Sequence, residues 1–192
     1  YRDDWGAPHV LADSVRAMAF GLGYAQAEDH IEPMLLAYRV AMGRASEILG
    51  PEHAASDEFS LRMGHGEMAE AAFRHADPIT RDLCEGFALG VNVWLSDAGP
   101  GAPPWAEGVR PHEILALLHC YLMSHAPFDL PDFYHRAAPA VSGNAWALSA
   151  GRTTGGAPIL AINPHTDWTG PFQWYEAHLI APGLNVAGAT LF

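Results

Sequence analysis

Residues 139–149 read PAVSGNAWALS. A hydroxyl residue, Ser142, stands between a Pro/Ala segment and what reads as the first strand of a new sheet, with Gly143 and Asn144 directly behind it. Serine before Gly and Asn ordinarily makes a turn. The same place suits a nucleophile, because a serine at the head of a chain can use its own free amine as the base that takes its proton. The residues of this stretch leave both readings open.

Downstream of it the pattern is that of strands. AWALS and GAPILAIN flank ALSAGRTTGGAP, whose TTGG centre is a hairpin turn, and WTGPFQWYEAHLI and GLNVAGATLF add two more strand-like runs. Upstream, to about residue 125, the periodicity is helical. Asp13 or Ser14 can cap SVRAMAFGLGYAQAEDH, a segment weakened as a single helix by Gly21 and Gly23. IEPMLLAYRVAMGRASEILG follows, with Met34, Leu35, Tyr38 and Met42 on one face, Pro33 tolerable near a first turn, and bends expected at Gly43 and Gly50. Asp77-Pro78 starts a helix carrying Leu83, Phe87, Val91 and Leu95 on one side, which stops before GPGAPP. RPHEILALLHCYLM repeats the Pro-first device, with an apolar face broad enough for burial on more than one side. Helices followed by strands give an α+β chain. It ends on an apolar strand with no closing turn, so it reads as a piece of a larger protein.

Composition narrows the partners. The 192 residues can bury one core, and 49 % apolar content is that of a folded protein. The net charge of −12 and ten basic residues that are all arginine, scattered singly, disfavour nucleic acid. No apolar run is long enough to cross a membrane, and the opening YRDDWGAPH has no signal-peptide pattern, which leaves export undecided. Cys84 and Cys120 fall within helical patterns and read as buried small hydrophobes, with a disulfide as the alternative.

GNAWALSAGRTTGGAPILAINPH resembles the start of the catalytic β chain of the penicillin amidase family, the N-terminal-nucleophile acylases. RDDWGAPHVLADS, AFGLGYAQAEDHIEPM, AMGRASEILG and EGFALGVNVWL resemble its α chain in the same order, so that the likeness covers nearly the whole chain. The resemblance implies an αββα sandwich, here incomplete, with residues 1–141 as a helical α-chain-like region and 142–192 as the beginning of the β-chain sheet. It implies hydrolysis of a linear amide between an acyl group and an amine. The enzyme would be made by self-cleavage of a single precursor, with the acyl group carried as an ester on the new terminal serine.

Asn144, Ala145 and Trp146 match the family's second to fourth β-chain positions without a gap, and in that register the nucleophile's position falls on Gly143. Glycine has no hydroxyl to rearrange a peptide bond or attack an acyl carbon. Either Ser142 is the processing point, with Gly143 an inserted flexible residue, or the nucleophile is missing and the chain is an uncleaved or silent homologue with a structural or binding role. One residue of register is about 3.5 Å of chain, and misplacement by about 1 Å can lower a rate a hundredfold. The Ser142 reading therefore requires the backbone at Gly143 to restore the position, which glycine does best.

The same register assigns His165 to the histidine whose backbone lines the oxyanion site, or gives Asn163-Pro164-His165 a turn role only. Asn144 would brace the new terminus, and the family's oxyanion asparagine and nearby arginine would lie beyond Phe192. Met123, Phe128, Phe133, Trp146 and Trp168 are candidates for an acyl pocket, although aromatic residues on a first sheet, Phe172, Trp174 and Tyr175 included, are ordinarily core. The chemistry needs no cofactor; the resemblance allows a structural calcium ion with ligands left unplaced. His112, His119, His125 and His135 lack metal-site spacing, and GLGYAQ is no phosphate loop. The expected partners are a small-molecule amide and the two chains of one precursor, with no nucleic acid and no membrane. The expected location is the periplasm or outside the cell, with the cytoplasm left open.

Overall fold

The structure, a computed structural model, describes residues 1–124, 143–165, 169–170 and 172–192. The extended backbone of Ser14 opens α1 (Val15–Ala41), with its Oγ accepting the Ala17 N–H at 3.2 Å. The two helical segments expected here form one helix bent at His30 (φ −145°, ψ 37°). Pro33 then sits in the first turn after the bend, where a missing N–H leaves no partner unpaired. Met34, Leu35 and Tyr38 are buried as the periodicity requires. Gly43 (φ 68°) and Gly50 (φ 100°) turn the chain into and out of the short α2 (Ser46–Leu49). The buried Asp57 of α3 (Ala54–Met63) accepts the Ala45 and Ser46 amides at 2.7 and 2.9 Å and so caps α2 from outside it. α4 (His65–Arg74) follows across Gly64, which is left-handed at φ 65°.

Asp77 caps α5 (Pro78–Ala98) as expected, accepting from the Ile79 and Thr80 amides at 2.9 and 3.1 Å. The Thr80 hydroxyl and these amides hold its carboxyl below the usual range. The helix stops at Ala98, and a tight turn at Gly99–Gly101 begins the Pro-rich loop. That loop is pinned back to α5 by Asn92, which donates to the Val109 carbonyl at 2.9 Å and accepts the Val109 N–H at 2.7 Å. Glu113 closes α6 (Pro111–Ser124) by accepting the Arg110 N–H at 2.9 Å. α6 buries Ala116, Leu117 and Cys120 but leaves Leu118 and Leu122 exposed, so the burial on more than one side expected of it is not seen among the described residues. Both cysteines are buried and form no disulfide with one another, and burial pushes the Cys84 thiol up to about 11.

The buried face of α5 differs from the expected one. Phe87 and Val91 are inside, yet Leu83 is exposed, and the helix turns Cys84, Gly86, Ala88 and Gly90 inward instead. The reason is a backbone approach to α1. A Cβ on Gly86 would overlap the Arg16 carbonyl oxygen, one on Gly90 the Phe20 carbonyl oxygen, and one on Gly23 the Phe87 carbonyl oxygen. Gly86 and Gly90 are four residues apart and so lie on one face.

The strands form two sheets. β1 (His9–Leu11) lies parallel to β4 (Tyr175–Ala181), His9 opposite His178, and β4 pairs antiparallel with β5 (Leu184–Thr190). β2 (Gly143–Leu148) and β3 (Ile159–Pro164) make a separate antiparallel pair. The three-residue β1 escapes the sequence pattern because it is too short to alternate. It joins the front of the chain to its end, and side chains reinforce the join. Arg2 donates to Asp29 at 2.9 Å, Asp29 accepts the Tyr175 hydroxyl at 2.7 Å, and the buried Gln26 donates to the Leu191 carbonyl at 3.2 Å. The His30 ring, at the bend of α1, meets Tyr175 edge-on and tilts onto Phe192.

This packing makes a substitution test. Gly90→Ala should lower stability by roughly 1–3 kcal/mol in urea unfolding, although alanine favours helix by about 1 kcal/mol, because the new methyl meets backbone that cannot move aside. Gly66→Ala on α4, whose Cβ would meet only the mobile end of Met42, should be close to neutral. Equal effects at the two positions would contradict the close-approach account.

Candidate active site

The β2–β3 hairpin brings together the described residues expected to carry chemistry. Gly143 stands opposite Pro164, Asn144 opposite Asn163 and Trp146 opposite Ala161. The TTGG turn forms within residues 149–158: the Gly156 N–H donates to the Thr153 carbonyl at 3.3 Å, with Gly156 at φ 68°. The Thr153 hydroxyl closes it further on the Ala157 carbonyl at 2.7 Å. His165 follows the last residue of β3, and the Asn144 Nδ2 lies 2.9 Å from its Nε2. An amide nitrogen carries protons and no available lone pair, so it donates and the ring nitrogen accepts. Two residues singled out for separate roles, 21 apart in sequence, are thus in direct contact.

Side chains opposite one another in an antiparallel pair share a face. Asn144, Trp146, Leu148, Ile159, Ala161 and Asn163 share one face, while Ala145, Ala147, Leu160 and Ile162 share the other. Trp146 is 56 % exposed, and Leu148, Ile159, Leu160 and Ile162 are exposed too. Apolar side chains on both faces are the pattern of strands covered on both sides.

Ser142, Phe128, Phe133 and Trp168 lie outside the described residues, as do His125 and His135. Met123 is half-buried in the last turn of α6. Hollows of about 700 Å³ beside the end of α5 and about 310 Å³ between α3, α4 and α6 are lined by neither Met123 nor the hairpin. Phe172 and Tyr175 are buried in the core, as aromatic residues on a sheet ordinarily are.

His119 finds a partner that sequence spacing did not point to. Its Nδ1 lies 2.7 Å from Nδ1 of His65, with the rings edge-on. One proton fits between the two nitrogens, so one ring donates and the other accepts. His65 is fully buried, and its Nε2 has no hydrogen-bond partner among the described residues. Burial, with a smaller contribution from His119, pushes its pKa down to about 4. No group of three or more His, Cys, Asp or Glu among the described residues is placed to hold a metal ion.

Comparison with known proteins bears on the family and the fold. The family model described as penicillin amidase matches residues 1–192. The chain is 28 % identical to the acyl-homoserine lactone acylase PvdQ of Pseudomonas fluorescens (strain Pf0-1), with 99 % of this chain and 30 % of that protein aligned. It is 31 % identical to the penicillin acylase 2 proenzyme of Pseudomonas sp. (strain SE83), over 85 % of this chain and 22 % of the relative. It is 28 % identical to the aculeacin-A acylase of Actinoplanes utahensis, over 99 % and 30 %. The chain therefore spans about 30 % of the length of the first of these relatives. Among solved structures, the thermostable penicillin G acylase from Alcaligenes faecalis superposes with a TM-score of 0.58 at 22 % identity, covering 71 % of this chain and 77 % of that one. This likeness shows the fold, a mixed α+β architecture consistent with an incomplete αββα sandwich.

The buried His65 imidazole ties stability to pH. His65 titrates at about 4 when folded, below the ordinary 6.5, so its contribution is complete above pH 6.5 and is lost as pH falls toward 4. The loss should amount to on the order of 2–3 kcal/mol. Urea unfolding of the parent and of His65→Phe should diverge across this window, the variant losing less. Parallel pH profiles would contradict the assignment.

Proposed function

The chain belongs to the penicillin amidase family, and on that premise we propose that it is the front portion of an acylase precursor that hydrolyses a linear amide joining an acyl group to an amine. The Ser142 hydroxyl attacks the Val141 carbonyl, the acyl group moves from nitrogen to oxygen, and water hydrolyses the resulting ester to release the upstream chain. The freed Ser142 amine then serves as the base. It takes the hydroxyl proton as Oγ attacks the substrate carbonyl and delivers it to the departing amine, and water releases the acid from the acyl ester. The observation that carries this reading is the Asn144–His165 contact at the head of the hairpin, which brings together two described residues that the resemblance assigns to the surroundings of the nucleophile.

The substrate is a small-molecule amide. Its acyl chain would meet an apolar lining to which Met123 and Trp146, with Phe128, Phe133 and Trp168, are the candidate contributors. The upstream and downstream products stay together as the two chains of one enzyme, with residues 1–141 on one and 142–192 opening the other. No helix among the described residues is long and apolar enough to cross a membrane; the periplasm or the exterior is the proposed location.

A second reading is favoured by the pairing register. Gly143 heads β2 directly opposite Pro164, two residues ahead of Ala145 in an unbroken ladder. If the nucleophile belongs at the first position of the strand, that position lacks a hydroxyl and the protein is an uncleaved homologue that binds without turnover.

Expressing the full-length gene and sequencing the products distinguishes the two. The acylase reading expects a second chain beginning Ser142-Gly143-Asn144, and a single uncut chain from Ser142→Ala. A parent left as uncut as Ser142→Ala would end it and favour the binding reading.

A further inference from the structure

We propose that Asn144 is a positioning residue that keeps His165 a neutral imidazole protonated at Nδ1, so that His165 serves the acylase chemistry as a hydrogen-bond donor and not as a base. The inference rests on the acylase reading above for its consequence, but not for its geometry. Asn144 is the second residue of β2 and pairs with Asn163, so the ladder brings its amide to the residue two beyond its partner, on the same face. The amide nitrogen sits 2.9 Å from Nε2 and can only donate. Nε2 must therefore offer its lone pair, and a neutral ring with that lone pair engaged carries its proton on Nδ1. Protonating Nε2 would place two N–H groups against each other and break the contact. The ring is thus withheld from proton abstraction through Nε2, which leaves that work to the terminal amine of Ser142. What His165 has to give is an N–H. A neutral imidazole donor is well suited to an oxygen that gains negative charge during acyl transfer, since it stabilises the charge without surrendering a proton.

The orientation of the Asn144 amide decides the matter, because the reversed amide would accept from a protonated Nε2. Ring-¹⁵N-histidine can be introduced into the complete precursor and read by long-range proton–nitrogen correlation, with the His165 signals identified by their loss in His165→Gln. The expected spectrum has a pyridine-like Nε2 and a pyrrole-like Nδ1. Asn144→Asp, which replaces the donor by an acceptor, should turn Nε2 pyrrole-like. A pyrrole-like Nε2 in the parent overturns the proposal, and so does a pattern unchanged in Asn144→Asp. Should the variant not fold, the parent spectrum still decides. In the processed enzyme, Asn144→Asp should lower kcat about tenfold or more with KM little changed; a rise in KM with kcat intact would overturn the positioning role. The tautomer is read whether or not the Val141–Ser142 bond is cut, so an uncut precursor with pyridine-like Nε2 counts against the nucleophile and not against Asn144.

Discussion

The backbones of α1 and α5 touch, and the rest of the structure is hung on that contact. Gly86 and Gly90 face the carbonyls of Arg16 and Phe20, and Gly23 of α1 faces the Phe87 carbonyl in return. Such an approach leaves no room for a Cβ at any of these three positions, so only glycine fits them. Beyond the contact, α1 delivers Gln26 and Asp29, one turn apart, to the Leu191 carbonyl and the Tyr175 hydroxyl. The far end of α5 holds Val109 through Asn92 and so sets the start of α6. A helix pair thus positions both the three-stranded sheet and the start of α6.

Charge in this chain mostly builds structure. Arg39 is buried among Glu47 at 2.7 Å, Glu107 at 3.3 Å and the Trp105 ring, and it also donates to the Trp105 carbonyl. Arg44 reaches the same two carboxylates from the exposed side and, by its hydrogen bonds, holds both below the usual range. The planar guanidinium can bridge two acids and stack on an indole at once, which a lysine ammonium cannot. The network therefore clamps the α1–α2 corner to the Pro-rich loop. Exposed pairs such as Arg62–Glu58 and Arg74–Glu70 add little, since solvent screens them.

What could be read in advance followed from local rules. Ser14 and Asp77 cap because their oxygens reach amides two or three residues on, and the TTGG turn rests on its glycines and its flanking strands on short apolar runs. What escaped depends on distant partners. Gly23 reads in sequence as a weakness in a helix, and only the arrival of α5 turns it into a requirement. The inward face of α5 was misjudged at Leu83 for the same reason, since counting apolar side chains ignores a face defined by their absence. The His65–His119 and His9–His178 contacts join residues 54 and 169 positions apart, beyond any local spacing rule. The Asn144–His165 contact lay between these cases: both residues could be singled out, but their meeting needed the strand register.

That register also sharpens the question posed by Ser142 and Gly143. A strand alternates its faces, so moving a reactive group by one residue changes which side of the sheet it serves as well as its distance along the chain. Odd-numbered positions of β2 share a face with Leu160 and Ile162, an aliphatic surface. Even-numbered positions share the face of Asn144 and Trp146, toward which His165 is drawn by its hydrogen bond. A hydroxyl at 143 would accordingly stand on the aliphatic side, on the face opposite Asn144. A pocket built around position 143 would therefore lie on the face of the hairpin that Trp146 does not share.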